Sequence, residues 1–140
     1  MNTEKMPEFL SFDYVKANGV LYDEYTMPEY EEPFTRLYDK PIESGGKPFS
    51  GLLYELYENG NVRYYAMYQD GYMKGEYVSF YYEGTPWSYT IMYQGAFTGI
   101  AYKWYPDGKL KKRLERFGNS RHYKVVEYDE DGNITRQGEI

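Results

Sequence analysis

A chain of 140 residues supports one domain with a core of its own, and its lack of cysteine excludes a disulfide framework, thiol catalysis and a cysteine-ligated zinc site. Its 20 tyrosines, 7 phenylalanines and 2 tryptophans tilt it toward strands and turns, and its formal charge of -6 repels nucleic acid while admitting a basic protein. No apolar run is long enough for a signal peptide or a bilayer span, so a soluble, cytoplasmic protein without a membrane partner is expected.

Residues 1–50 carry ten acidic against five basic side chains and are the most acidic part of the chain. Here ANGVLYDEY (17–25) reads as a hairpin turn followed by a strand. MPEYEEPF (27–34) is an acidic stretch with two prolines and two aromatics, and SGGKP (44–48) reads as a loop. Residues 1–48 share no period with the rest of the chain. They are expected to form a degenerate unit and an irregular cap over the edge of a sheet.

From residue 49 a period emerges. Gly60, Gly84, Gly108 and Gly132 lie 24 residues apart, and Gly51, Gly75 and Gly99 form a second series at the same spacing, nine residues earlier. Tyr57, Tyr81 and Tyr105 each precede a turn glycine by three, and Leu56, Phe80 and Trp104 share another column. After the turn Val62, Leu110 and Ile134 align, with Pro86 as the exception. The turns read ENGN (58–61), YEGT (82–85), PDGK (106–109) and EDGN (130–133), where glycine accepts the positive φ that a tight hairpin needs. Strict alternation over Leu52, Tyr54 and Leu56 against Leu53, Glu55 and Tyr57 belongs to a strand. The expected fold is therefore all-β: residues 49–140 as four tandem antiparallel hairpins in one open, twisted sheet, with 1–48 as its cap. Aromatics on both faces have two readings, tyrosine ladders serving as the core of a thin sheet, or a binding surface on one face or end.

Catalytic chemistry finds no foothold. His122 is the only histidine, the carboxylates sit mostly in turns, DEDGN (129–133) lacks the ligand spacing of a calcium loop, and no glycine-rich phosphate loop opens a helix. The expectation is a protein that is not an enzyme and has no metal or cofactor. The basic run KLKKRLER (109–116) reads as a strand with Lys109, Lys111 and Arg113 on one face and Leu110 and Leu114 on the other, solvated or paired with acidic neighbours.

The pattern PFSG…YELYENGNVR…YQDGYMKG, with the lead-in LYDKPIESGGKPFSG (37–51), resembles the MORN-repeat variant family over about residues 38–140. Pro86–Trp87 departs from that family's aliphatic–basic pair, as does the basic third unit. Many bacterial members resemble antitoxin or immunity proteins, so the resemblance implies a stoichiometric inhibitor of a toxin domain, basic and nuclease-like. Acidic side chains would steer that partner and aromatic ones anchor it. The residues expected to meet it are Tyr25, Glu29, Tyr30, Glu31, Glu32 and Phe34, with Tyr64, Tyr65, Tyr82 and Trp87 as further aromatic candidates. The alternative is a scaffold that forms a homo-oligomer through its sheet edge, with binding of the basic run to an anionic membrane surface a lesser one.

Overall fold

A helix, not a turn, leads into the first strand. The computed structural model describes residues 6–23, 29 and 30, 36–93, 96–116 and 122–140. Helix α1 (Phe12–Asn18) starts at Ser11, whose side chain accepts from the Tyr14 N–H, and ends at Gly19, whose N–H returns to the Val15 carbonyl. The Asn-Gly pair expected to make a hairpin turn is thus a helix stop. A Cβ at Gly19 would lie 2.7 Å from the Val15 carbonyl oxygen and 2.9 Å from the Tyr54 ring. Only glycine lets the chain pass there.

The next strand, β1 (Val20–Leu21), pairs in parallel with β4 (Gly51–Leu56). Between them lie the two-residue strands β2 (Glu29–Tyr30) and β3 (Arg36–Leu37), paired with each other, and a 3-10 turn at Ile42–Ser44. From β4 onward the chain runs as an antiparallel meander: β5 (Val62–Gln69), β6 (Tyr72–Phe80), β7 (Pro86–Tyr93), β8 (Ala96–Trp104), β9 (Leu110–Arg116), β10 (Tyr123–Tyr128) and β11 (Ile134–Glu139). The described residues therefore form one open nine-stranded sheet that is mixed, not wholly antiparallel, plus a small two-stranded one. The long excursion between β1 and β4 supplies the crossover that a parallel pair requires.

The core lies on one face of the sheet. Leu52, Tyr54, Val62, Tyr65, Val78, Phe80, Tyr89 and Trp104 form it with Val15 of the helix, and Phe9, Leu10 and Phe12 pack against it. Phe9 is a wedge there, its ring edge-on to Phe80, Tyr89 and Trp104 at 6.4, 6.2 and 5.4 Å, contacts worth about 0.5–1.5 kcal/mol each beyond their burial. On the other face Leu53 packs with Leu37 and Phe49. Strand β4 is consequently buried on both sides, with α1 over one face and the 36–49 segment over the other.

Each of the four turns closes in the same way. The Tyr57, Tyr81, Tyr105 and Asp129 N–H groups donate to the carbonyls of Asn61, Thr85, Lys109 and Asn133, and the turn glycines donate back to residues 57, 81, 105 and 129. Gly60, Gly84, Gly108 and Gly132 have φ between 89° and 104°, the left-handed geometry that the turn requires. Directly after each turn the register slips. Leu56, Phe80, Trp104 and Tyr128 face Val62, Pro86, Leu110 and Ile134, and one residue then bulges before pairing resumes.

That bulge corrects the expected alternation in the basic run. Leu110 faces Trp104 on the core side, Lys111 is the bulged residue, and Lys112 and Leu114 turn to the opposite face while Arg113 pairs with Tyr102. Leu110 and Leu114 are on different faces.

Candidate partner-binding surface

The four turns share one end of the sheet because successive strands alternate in direction. Hydrogen bonds join them into a row. Asn59 and Asn61 side chains both donate to the Tyr82 carbonyl, Thr85 donates to that of Pro106, and the Lys109 ammonium donates to that of Glu130. Beneath them the hydroxyls of Tyr57, Tyr81 and Tyr105 donate to the carbonyls of Phe80, Trp104 and Tyr128 at 2.7, 2.7 and 2.8 Å. Each tyrosine thereby ties its own hairpin to the next. The bulged residues lie over these same rings: the Arg63 guanidinium 4.7 Å from the Tyr57 centroid, the Lys111 ammonium 5.4 Å from that of Tyr105, and the Trp87 ring 6.3 Å from that of Tyr81. Pro86–Trp87, the departure seen in the sequence, thus puts an indole where the neighbouring hairpins put a cation.

This end presents carboxylates and aromatics together. Glu58, Glu83, Asp107, Glu130 and Asp131 are exposed at the turn tips, and Tyr82 and Trp87 stand out beside them at 49% and 45% exposure. Tyr82 is held edge-on to Tyr57 with ring centroids 5.3 Å apart. In the last turn the Asp129 carboxylate accepts from the N–H groups of Asn133 and Asp131, which hold its pKa below the usual carboxylate value. Its chemistry is that of a turn cap.

The other sequence-derived candidates divide. Tyr65 is wholly buried; its hydroxyl accepts from the Leu10 N–H, and burial pushes its pKa up to about 12. It holds the N-terminal segment to the core and presents nothing to a partner. Tyr64 faces the opposite side, its ring 5.7 Å from that of Tyr77, and burial with the nearby Glu55 carboxylate raises the pKa of both phenols. Glu29 and Tyr30 lie on β2, where their backbones pair with Leu37 and Arg36. Tyr25, Glu31, Glu32 and Phe34 fall outside the described residues. Of the sequence-derived candidates, Tyr82 and Trp87 are exposed at the turn end; the row of acidic tips beside them carries no signal in the sequence, because it exists only once the bulges and tyrosine bonds align the hairpins.

No helix among the described residues is long and apolar enough to cross a membrane. No family model matches this chain, and no solved structure matches it significantly. Over 61 residues, 44% of its length, the chain is 33% identical to the immunity protein YwqK of Bacillus subtilis (strain 168), and the match spans only 38% of that relative.

Proposed function

We propose that this protein is an immunity-type inhibitor that binds a cognate toxin domain one to one and covers its active site, with no catalysis of its own. The observation that carries the reading is the hydrogen-bonded row of acidic tips flanked by exposed Tyr82 and Trp87, a charged and aromatic surface already ordered before a partner arrives. Preorganised aromatic anchors lose little entropy on binding, and the carboxylates suit a basic partner such as a nuclease. The partial similarity to an immunity protein supports the same reading. We read the scaffold as a stack of 24-residue hairpin units of the MORN type, supported by the shared turn bonds, bulges and tyrosine links. The cytoplasm is where such an inhibitor would act. The test is co-expression with a candidate basic toxin domain that arrests growth: this chain restores growth, and a variant with Tyr82 and Trp87 both changed to Ala does not.

A second reading rests on β11, whose six residues are all exposed and which forms the open edge of the large sheet. Such an edge can accept a strand from another chain, as a scaffold or homo-oligomer would. Concentration-dependent sedimentation separates the two, since the inhibitor works as a monomer and the scaffold self-associates.

A further inference from the structure

On the face opposite the core, Lys103 of β8 and Lys112 of β9 are directly paired in register. Like charges placed opposite one another across strands destabilise a sheet, and an anion shared between them relieves the repulsion. Neither lysine makes an ion pair among the described residues. The nearby cations are otherwise engaged: Lys111 over Tyr105, Arg116 on the Tyr123 hydroxyl and Arg136 on Glu127. Glu127 stands opposite Lys112 in the ladder, but its carboxylate takes the Arg136 guanidinium at 3.2 Å.

A hollow of about 260 Å³ lies between the two lysines and is floored by Thr90, Ala101 and Leu114. That volume falls below the range of drug-sized sites and suits one side chain. We propose that the Lys103–Lys112 pair and this hollow receive an acidic side chain from a protein partner, its carboxylate between the ammonium groups and its methylenes on the apolar floor. A polyanion such as nucleic acid, or an anionic membrane, would meet the repulsion of a chain with net charge -6, whereas a single carboxylate on a partner of mixed charge would not. That the carboxylate comes from a protein rests on the toxin-binding reading above; the anion-and-apolar chemistry of the hollow does not.

The test is a titration of the whole chain followed by backbone amide NMR shifts, with three probes: a blocked leucyl-glutamyl dipeptide, its glutaminyl counterpart, and inorganic phosphate. The glutamyl probe is expected to move the Thr90, Ala101 and Leu114 amides while the glutaminyl probe leaves them in place. Lys103→Gln or Lys112→Gln should each weaken that response about two- to fivefold, the range an exposed ion pair supports, and the double variant should abolish it. Lys103→Gln should keep or raise the urea midpoint, because it removes the repulsion and leaves Lys112 opposite Glu127. The proposal is overturned if the glutamyl probe shifts nothing there, if phosphate shifts the same amides as strongly, if the double variant responds like the parent, or if the Lys103→Gln midpoint falls. No toxin is present, so failure here leaves the inhibitor reading standing, and failed toxin binding leaves the hollow standing.

Discussion

The Tyr81 hydroxyl donates to the Trp104 carbonyl oxygen at 2.7 Å, joining two hairpins 23 residues apart in sequence. Tyr57 and Tyr105 make the equivalent bonds, so the sheet is stitched at its turn end by side chains as well as by its ladder. Tyr81→Phe keeps the ring under Trp87 and deletes only this bond. The expected cost is about 1 kcal/mol, measured as a lower urea midpoint with an unchanged denaturant slope. An unchanged midpoint would mean that the tyrosine links do not hold the hairpins together.

Trp87 lies over the Tyr81 ring where the neighbouring hairpins use Arg63 and Lys111. Trp87→Lys should therefore keep stability within about 0.5 kcal/mol, since a cation is at home over that ring. Loss of the indole should weaken toxin binding by about 2 kcal/mol, roughly 30-fold, if Trp87 is an anchor. Thermal unfolding and calorimetric titration of the same variant separate the two roles.

Glu58 and Glu83 stand at the tips of adjacent turns. Reversing both to Lys should slow toxin association about tenfold at low salt and much less at high salt, with dissociation little altered. Stopped-flow mixing at two ionic strengths reads this directly. An association rate indifferent to salt and to these charges would contradict electrostatic steering.

Tyrosine ionisation links this fold to alkaline pH. Burial raises the pKa of Tyr65 from 10.0 to about 12, and burial raises that of Tyr64 and Tyr89 further, helped by Glu55 and Glu76 respectively. Below 10.0 both folded and unfolded chains keep these phenols neutral, and the stabilisation is complete. Above it the unfolded chain releases protons that the folded chain retains, so stability falls as pH rises from 10.0 toward about 12. Urea midpoints at about pH 9 and about pH 11 should show the fall, and Tyr65→Phe should reduce it.

The hairpins were legible because their determinants are local. An Asp-Gly or Asn-Gly turn and an apolar column need only a few residues to announce themselves, and the turns at 57–61, 81–85, 105–109 and 129–133 all close as the glycines indicate. What was not legible depends on partners distant in sequence. Asn18–Gly19 looks the same whether it turns a hairpin or stops a helix; the decision falls to Phe12 and Val15, whose three-residue spacing seats them on the sheet beside Phe9. Tyr65 is among the aromatic candidates for partner contact in the sequence, yet its hydroxyl accepts from the Leu10 N–H, 55 residues away. The bulge at Lys111 puts Leu114 off the core face, because one extra residue in a strand turns every later side chain to the other side.

The proposed sequestration of a toxin domain by the turn end of this sheet is best tested by calorimetric titration of the purified chain with a candidate basic toxin domain. Saturable one-to-one binding at nanomolar affinity is expected, weakened roughly 30-fold or more when Tyr82 and Trp87 are both changed to Ala. Absence of binding, or binding of equal strength by that double variant, would contradict it.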